Sequence, residues 1–529
     1  MKKVLNFRPF VLFALSIVVG IVLSTFVFVS LNLKLVFLLF FALLSICSII
    51  LLIVFKAKFL KYLVVCLLLI TLPIGQYYGM HRQMNKNYKH NETEVLINGR
   101  ICENFKFTSS GNLSFEIDDV TLVGANFKEK INGSIAIYTN PENYDLEKLE
   151  VGRFVSVFGK IRINHFEENS KYLLSNLSNN VIGSCYANYS SVTIKNETDR
   201  TLDESARLAV WNKLQSFDIE YAEIGYAMMF GDASSIDEDV VSAFRTTGIA
   251  HLLAVSGLHV SIIVMMISFI LKLCKVSKRL NVAIVSVILL IYCYLCNFSV
   301  SVVRASLMSL LYLFLLARGK CYDRLSALAF SMCIILAISP LKLFNVSLIL
   351  SFMAVFSITI LTKVFEDLFE KCFHKKLSAT LALIFAVQVG LVFVQLYFFK
   401  NYTPMSIICN FISIPVATMA FVVLIISTIV SSILPFMSFS AKIYDYLMGL
   451  VVKFNYTLSK LPLIISVSNL NFWIIIFGTL LMVLLSGFIF IKKRYKAVGV
   501  SLFAILCTIL LFVWVLNIKW TRQIYCVLI

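Results

Sequence analysis

The sequence predicts an α-helical polytopic membrane protein with about 11–13 transmembrane helices and an inserted extracytoplasmic OB-like β-barrel domain. Composition is the first observation, because the 529 residues are 59% hydrophobic and 14% charged. Soluble domains are about half apolar and about a quarter charged. The second observation is a series of apolar runs long enough to cross a bilayer. The third is a polar stretch of alternating residues, which indicates strands.

Apolar runs of about 20 residues define the predicted membrane spans. The first run, near 9–31, is too long for the apolar part of a signal peptide and is followed at once by another apolar run. We therefore interpret it as a retained span. The stretch 442–465 carries four charged residues and is predicted to be a short span or an interfacial helix. The other predicted spans lie near 35–55, 62–79, 250–272, 281–298, 301–317, 325–343, 346–363, 378–400, 405–432, 471–491 and 497–517.

Lysine and arginine clusters predict the orientation, because such residues are enriched in cytoplasmic loops. A single arrangement places every cluster in the cytoplasm, with the N-terminus inside and residues 80–200 and the C-terminus outside. This topology also accounts for the net charge of +18, which is compatible with a DNA partner but does not require one. The clusters lie near residues 2–8, 56–61, 272–279, 318–324, 371–376 and 492–496.

The chain divides into consecutive parts on this basis. Residues 1–79 are three N-terminal transmembrane helices, and 80–202 form the extracytoplasmic domain. Residues 203–248 are amphipathic or interfacial helices, 249–517 the main transmembrane domain and 518–529 an extracytoplasmic tail.

Short β-like runs near 95–102, 113–122, 133–138, 154–163 and 189–195 suggest a small barrel of the OB type. Such barrels often bind single strands through aromatic side chains. Phe105, Phe107 and Phe115 are the candidates for base stacking. Packing in the barrel core is the competing role and the favoured one.

Thirteen cysteines occur, mostly within apolar spans, where they behave as small buried hydrophobic residues. Cys102 and Cys185 are the exceptions, because they alone lie in the extracytoplasmic domain. That side is oxidising, so we predict a disulfide between them, with free thiols as the alternative. Nothing in the cysteine and histidine spacing predicts a metal site, and we expect no cofactor.

The amphipathic stretch 203–248 contains two charged residues, Asp232 and Arg245, that we consider as a gate pair. A helix cap and an interfacial anchor are the alternative roles. Ser234 or Ser235 is expected to cap the helix that follows.

Residues 248–259 place polar groups within an apolar segment. His251, Ser256, Gly257 and His259 are predicted to line a watery path, because polar groups at membrane depth are costly and usually face the bundle interior. For each histidine, a neutral imidazole hydrogen-bonded within the helix bundle is the alternative. On one continuous helix the two histidines would be separated by about 12 Å of rise, too far to share a metal ion. Ser256 and Gly257 also suit close helix packing or a helix break.

Further along the chain, Arg304 lies just inside one end of a predicted span. A mid-membrane arginine costs roughly 2.5–3.5 kcal/mol on insertion scales. It therefore either extends to the bilayer surface or serves the path, where a guanidinium would meet phosphate oxygens bidentately. Gln388, Gln395 and Asn410 are further path candidates, with hydrogen bonding between helices as the alternative.

Residues 248–259, Gly-Ile-Ala-His-Leu-Leu-Ala-Val-Ser-Gly-Leu-His, resemble the signature of the ComEC family along its whole length. The family comprises polytopic channels that admit single-stranded DNA during natural transformation. Further elements of this chain resemble the family's patterns: Met228-Met-Phe-Gly-Asp, Phe244-Arg-x-x-Gly, the Arg304-Ala pair, Leu350-Ser-Phe-Met-Ala-Val and Asn410-x-x-x-x-Pro415. The chain departs from the family at Ser347-Leu-Ile, where members often carry Gly-Phe-Gln.

The resemblance implies a bacterial plasma-membrane channel that passes single-stranded DNA inward. It also implies a DNA receptor outside and an ATP-driven motor in the cytoplasm, since the sequence has no phosphate-binding G-x-x-x-x-G-K-[ST] loop. Many members continue into a metallo-β-lactamase-like domain, and this chain ends about where that domain would begin. We therefore expect no nuclease-like enzyme activity here and a separate polypeptide as its source.

Two other function classes compete with the channel. A small-solute or lipid transporter would be expected to carry inverted internal repeats, and none is visible in the sequence. An intramembrane serine hydrolase would need Ser256 and His259 to approach each other, although glycines are missing from the G-x-S-x-G positions.

Overall fold

The structure is a computed structural model of the chain. It describes residues 8–30, 58–107, 112–124, 127–140, 150–164, 173–187, 192–461, 465–466, 478–479 and 482. The predicted spans near 35–55 and 497–517 and the tail 518–529 lie outside these residues, as does nearly all of the span near 471–491.

The described residues form two compact units. The barrel unit comprises Pro9–Ala209 and Ala329–Leu348, and the helical unit comprises Arg8, Val210–Leu328 and the described residues from Ile349 onward.

Two helices open the barrel unit, α1 (Pro9–Ser30) and α2 (Lys58–Asn87). They pack closely, because a side chain at Gly20 would collide with the carbonyl oxygen of Ile70. A hydrogen bond of 2.8 Å joins the hydroxyls of Thr25 and buried Tyr77. Helix α2 is 30 residues long and so continues well beyond the predicted span of 62–79.

A closed barrel of five strands follows, as predicted. Its strands run in the order β1, β3, β5, β7, β6, and β6 returns to pair with β1. All pairs are antiparallel except β5 with β7. The strands of the sheet are β1 (Glu94–Ile101), β2 (Lys106–Phe107), β3 (Leu113–Val123), β4 (Lys128–Lys130), β5 (Ser134–Thr139), β6 (Arg153–Ile163), β7 (Val181–Ala187) and β8 (Val192–Thr198).

Alternation explains the barrel, since every second residue of β1 is buried, as is every second residue of β3 on either side of Asp118 and Asp119. These side chains form one core with Ile135, Val157 and Ile161. The sequence prediction missed β7, which closes the barrel, and used the segment of β8 as the fifth strand. The strand was missed because Gly183 and Ser184 interrupt its run of apolar residues.

The predicted disulfide is wrong, because Cys102 and Cys185 are both free thiols. Cys102 follows β1 and bonds with Glu116 of β3, whereas Cys185 lies in β7 opposite Ile137 of β5. On one side of the closed barrel, β3 and β5 lie between the two cysteines. On the other side only β6 does, but Cys102 follows Ile101, whose carbonyl oxygen accepts from Gly152 just before β6, whereas Cys185 pairs with Ile161 near the end of β6. Neighbouring strands are about 4.8 Å apart, and a strand advances about 3.3 Å per residue. A bridge requires Cα atoms within about 7 Å.

The stacking role of Phe115 is also wrong. Its side chain is 2% exposed and lies in the barrel core. Phe105 packs partly buried against the same core. Phe107 belongs to β2, and its side chain lies outside what the structure describes.

Most of the other described residues are helical, which confirms a polytopic membrane protein. Among the described residues, five helices are long and apolar enough to cross a membrane: Lys278–Leu295, Val300–Ala317, Val346–Phe369, Lys375–Phe399 and Ser406–Ile433. Shorter apolar segments lie in α1, in α2 and at Gly257–Leu273 and Arg324–Ile338. The helices after α2 are α3 (Leu173–Ser178), α4 (Leu202–Gln215), α5 (Ala222–Phe230), α6 (Glu238–Thr246), α7 (Gly257–Leu273), α8 (Lys278–Leu295), α9 (Val300–Ala317), α10 (Arg324–Ile338), α11 (Val346–Phe369), α12 (Lys375–Phe399), α13 (Ser406–Ile433) and α14 (Ala441–Ser459).

The helical unit has a core in which α5, α6, α13 and α14 meet. Met228 of α5, Phe244 of α6 and Phe421 of α13 are fully buried there. The hydroxyl of buried Tyr444 in α14 donates to the carbonyl oxygen of Tyr221, 2.8 Å away. Helices α5 and α6 are therefore packed elements of the unit. Helix α14 occupies most of the stretch 442–465, which the sequence predicted as a short span or an interfacial helix.

A second core joins the early membrane helices. Val260 of α7, Leu289 of α8 and Val302 of α9 are fully buried in it. The sulfhydryl of Cys293 in α8 donates to the Ser306 hydroxyl in α9 over 3.4 Å. This three-helix contact positions the start of α7, where the signature residues lie.

Glu116 of β3 provides a pH test of the barrel. Burial, together with the nearby Glu103, raises the pKa of Glu116 from 4.5 to about 7. The folded barrel therefore keeps a proton that the unfolded chain releases, so this stabilisation is present below pH 4.5 and lost as pH rises through 7. We expect Glu116→Gln to raise the free energy of unfolding by about 2 kcal/mol at pH 8 and to change little at pH 4.

Hydrogen exchange of the β3 and β5 amides in the full chain measures this effect. Glu94→Gln, at an exposed site in β1, is the control and should leave the pH profile unchanged. Equal stabilisation by Glu116→Gln at both pH values would contradict the assignment.

Candidate functional site at the start of helix α7

The signature segment is a break between helices. Gly248 has a φ of +78°, and a Cβ there would lie 2.6 Å from the Cβ of Ser406. A 3-10 turn, Ala250–Leu253, follows, and Ala254 and Ser256 are extended. Helix α7 begins only at Gly257. The predicted span near 250–272 is therefore wrong in its first seven residues, because a glycine with positive φ and no room for a side chain ends the regular backbone.

The break changes the relation between the two histidines. The 12 Å separation assumed one continuous helix, so that argument no longer holds. His251 is exposed in the 3-10 turn before α7. His259 is 1% exposed. Within the described ranges, no group of three metal-ligating side chains forms around them or elsewhere.

Ser256 and His259 form the cap of α7. The backbone N–H of Ser256 donates to Nδ1 of His259 over 3.2 Å, in a capping-box arrangement. The imidazole also packs on Phe421, with 4.6 Å between ring centroids. Since Nδ1 accepts a hydrogen bond, the neutral ring carries its proton on Nε2. The two residues do approach each other, but the ring binds the serine backbone, which does not favour the serine hydrolase.

Arg304 is buried in the second turn of α9. Its side chain is 5% exposed, so the alternative that it extends to the bilayer surface is wrong. Nη1 donates to the carbonyl oxygen of Ser351 over 2.7 Å, and the guanidinium lies 5.9 Å from the Phe352 ring centroid. Nε has no hydrogen-bond partner in the described part of the chain. A buried charge left in this condition costs several kcal/mol.

The guanidinium of Arg304 reaches the first residue of α7. A Cβ at Gly257 would lie 2.7 Å from Nη2, so only glycine fits there without displacing the arginine. The hydroxyl of Ser301 donates to that of Ser351 over 3.0 Å and ties α9 to α11. The starts of α7, α9 and α11 therefore lie together. Sequence reasoning named Arg304 and Gly257 separately and missed Ser301 and Ser351, although the Leu350-Ser-Phe element was visible.

Three polar candidates lie on other helices. Gln388 is buried in α12, and Gln395 is half-buried on the same helix. Asn410 is buried in α13, and its Oδ1 has no hydrogen-bond partner among the described residues. None of the three makes a hydrogen bond to Arg304 or to either signature histidine in this part of the chain.

The proposed gate pair is wrong. Oδ1 of Asp232 accepts hydrogen bonds from the backbone N–H and the hydroxyl of Ser234, at 3.0 and 2.6 Å. Arg245 is exposed and forms no ion pair with Asp232 among the described residues. The cap of α6 is Asp237, whose side chain accepts from Asp239. The expected caps, Ser234 and Ser235, are therefore wrong as well.

The barrel presents tyrosines that the sequence reading missed. Tyr138 of β5 and Tyr186 of β7 are stacked, with 5.1 Å between ring centroids and 20° between planes. Tyr186 is 66% exposed, and Lys160 of β6 lies opposite it across the strand pair. Phe158, also in β6, is exposed. Side chains of a strand alternate between the core and the surface, so Tyr186, next to the buried Cys185, could have been predicted to be exposed. That prediction required recognising β7 as a strand.

Fold and site together define a multi-pass membrane protein with an inserted barrel and polar groups gathered at a broken helix. The family profile described as "Competence protein" matches residues 228–495, about half of the chain, and the chain belongs to this family. All the signature residues, Arg304, Ser351 and Asn410 lie within that match.

One curated relative adds to this finding. ComE operon protein 3 of Bacillus subtilis (strain 168) is 27% identical over 193 residues, which are 36% of this chain and 24% of that protein. The chain thus aligns with about a quarter of this relative's length. No solved structure matches the chain.

The capping arrangement yields a prediction. Ser256→Ala should destabilise the protein by about 1 kcal/mol, because an N-cap is lost, and should leave DNA uptake within about twofold of the wild type. Thermal unfolding in detergent measures the first effect, and uptake of labelled DNA measures the second.

Ser261→Ala is the control on the same helix, since the Ser261 hydroxyl is exposed and bonds only to the Gly257 carbonyl oxygen. Loss of uptake in Ser256→Ala with unchanged stability would point to a chemical role for the hydroxyl.

Proposed function

We propose that this chain is a channel that translocates single-stranded DNA across the bacterial plasma membrane during natural transformation. The observation that carries the proposal is the break at residues 248–256, within the part matched by the competence family. Non-helical backbone at membrane depth is tolerated where protein buries it or where it lines a water-filled cavity. The accessible His251 on this segment supports the second case.

Charge distribution supports an anionic passenger. Helices α7, α8, α9, α12 and α13 contain no aspartate or glutamate in their sequences. A proton- or cation-coupled transporter is expected to carry carboxylates at this depth. A path without them does not repel phosphates. Hydrogen-bonding groups such as Gln388, Gln395 and Asn410 would then offer uncharged contacts along the strand.

The barrel supports a role in receiving DNA. Its strand order and closure suit the OB type. Single-strand-binding barrels combine stacking aromatics with basic side chains. The exposed Tyr186, Phe158 and Lys160, together with half-buried Tyr138, offer both kinds of side chain, and they replace Phe115 as the stacking candidates.

The basic clusters support an orientation in which the N-terminus is cytoplasmic, with the barrel and C-terminus outside. Residues 249–517 would then form the channel, with 203–248 packed beside it. The proposed partners are single-stranded DNA, the lipid bilayer, a DNA receptor outside, an ATP-driven motor in the cytoplasm and a separate nuclease.

Cysteine labelling tests the orientation. In a variant lacking reactive native thiols, a cysteine replacing exposed Lys128 of β4 should react with an impermeant maleimide in intact cells. A cysteine replacing exposed Lys275, between α7 and α8, should react only after lysis. The reverse pattern would invert the topology and place the barrel inside.

DNA uptake tests the function. In a transformable bacterium whose own channel gene is deleted, this chain should restore import of labelled DNA into a nuclease-resistant form. His251→Phe should reduce import about tenfold, equivalent to ~1.4 kcal/mol, because it replaces the exposed hydrogen-bonding imidazole on the broken segment with a larger apolar ring. His374→Phe, at an exposed site before α12, is the control. Import that never exceeds the deletion background would reject the channel.

A further inference from the structure

We propose that Arg304 and the first amides of α7 form a binding site for one phosphodiester monoanion of the passing strand. The inference rests on the proposed function for the identity of the strand. The site itself rests on contacts inside the helical unit: the approach of Nη2 to Gly257 and the unfilled hydrogen-bonding capacity of the guanidinium.

The α7 side of the site is a helix N-terminus with open donors. Helix α7 has 17 residues, and the first amides of a helix have no acceptor within it. The N–H of Val260 bonds to the Ser256 carbonyl oxygen over 3.3 Å, and the amide of His259 faces the Ser256 side chain. Gly257 and Leu258 therefore supply the free N–H groups. The helix dipole places positive potential at this end.

The α9 side supplies an arginine that is buried and incompletely bonded. Arg304 makes one hydrogen bond among the described residues, from Nη1 to Ser351. Its Nε is buried without an acceptor, and Nη2 points at Gly257. None of the acidic residues within the described ranges forms a salt bridge with it.

The guanidinium and the positive end of α7 repel each other unless an anion lies beside both of them and accepts hydrogen bonds from each. A guanidinium is stabilised at a helix C-terminus, yet Arg304 lies at an N-terminus. An anion at this position would accept hydrogen bonds from the guanidinium and from the Gly257 and Leu258 amides. It would also supply the counter-charge that the described residues lack.

A phosphodiester fits the donors. Its two unesterified oxygens share one negative charge and match the parallel N–H groups of a guanidinium. Amides at a helix start are a common second set of phosphate ligands. His259 acts as a positioning residue, because its Nδ1 accepts from the backbone N–H of Ser256, which fixes the start of α7 and leaves the next two amides open.

Hydrogen exchange of the Gly257 and Leu258 amides tests the site in the full chain, held in nanodiscs of zwitterionic lipid. Oligothymidylate should slow exchange of these amides. A methylphosphonate oligothymidylate has the same bases without backbone charge, and it should not. Equal protection of the Gly257 and Leu258 amides by both oligomers would overturn the proposal. So would a result in which neither oligomer protects them although the barrel amides near Tyr186 are protected.

Variants separate charge from shape. Arg304→Gln should abolish the protection at the oligothymidylate concentration that protects the wild type, because the apparent affinity for the oligomer falls at least tenfold. Arg304→Lys keeps the charge but loses the planar fork, so its apparent affinity should be intermediate. Gly257→Ala should act like Arg304→Gln, because its Cβ would displace Nη2. Arg318→Gln, at the exposed end of the same helix, should bind as the wild type does.

Stability distinguishes binding from structure. Arg304→Gln should unfold at the same temperature as the wild type or higher, since it removes a buried unpaired charge. A large drop in both Arg304→Gln and Arg304→Lys would show that the arginine is structural and overturn the site.

Nanodiscs containing phosphatidylglycerol, without DNA, separate the two sources of a phosphodiester. If the lipid alone protects the Gly257 and Leu258 amides, and oligothymidylate adds no further protection, the site binds a lipid headgroup. That result would overturn the proposal that it binds the DNA strand. Charge-dependent protection in a chain that fails to import DNA would leave the site standing and reject the channel. Normal DNA import by Arg304→Gln, together with no protection of the α7 amides in the wild type, would leave the channel standing and reject the site.

Discussion

Burial of the Arg304 guanidinium beside the first turn of α7 is the constraint on which the helical unit depends. Three helices must begin at one level to enclose it, and Gly257 must lack a side chain for Nη2 to approach. The Ser301–Ser351 contact and the Ser351 carbonyl oxygen hold α9 and α11 at that level. A desolvated charge costs several kcal/mol. An apolar side chain would pack there more cheaply, so the arginine is difficult to explain by stability alone.

The break before α7 follows from the same constraint. A continuous helix from residue 250 would pair the amides of Gly257 and Leu258 with upstream carbonyl oxygens. Ending the regular backbone at Gly248 and restarting it at the Ser256 cap leaves these donors free. The price is exposed backbone at membrane depth, which the buried side chains of Leu252, Leu253 and Val255 partly cover.

Sequence patterns predicted the features that depend on neighbours along the chain. Apolar length gave the membrane helices, alternation gave most barrel strands, and polar residues in an apolar context selected Arg304 and Gly257. Features set by distant contacts were missed. The Gly248 break depends on Ser406, and Asp232 bonds Ser234 in preference to Arg245. Cys102 and Cys185 lie on non-adjacent strands, at different levels of the closed barrel. Periodicity carries no information about such pairings.

In the proposed channel, conduction would limit how strongly any one site along the path can hold DNA. A charged passenger must bind well enough to enter and weakly enough to leave. A lone guanidinium helped by neutral amides meets both needs better than a cluster of lysines, because amide dipoles attract phosphate without adding a full charge. Uncharged groups such as Asn410 and Gln388 extend the same logic along the membrane. The absence of carboxylates from α7, α9 and α13 then matters as much as the arginine, since one aspartate beside Arg304 would satisfy it permanently and close the site to the strand.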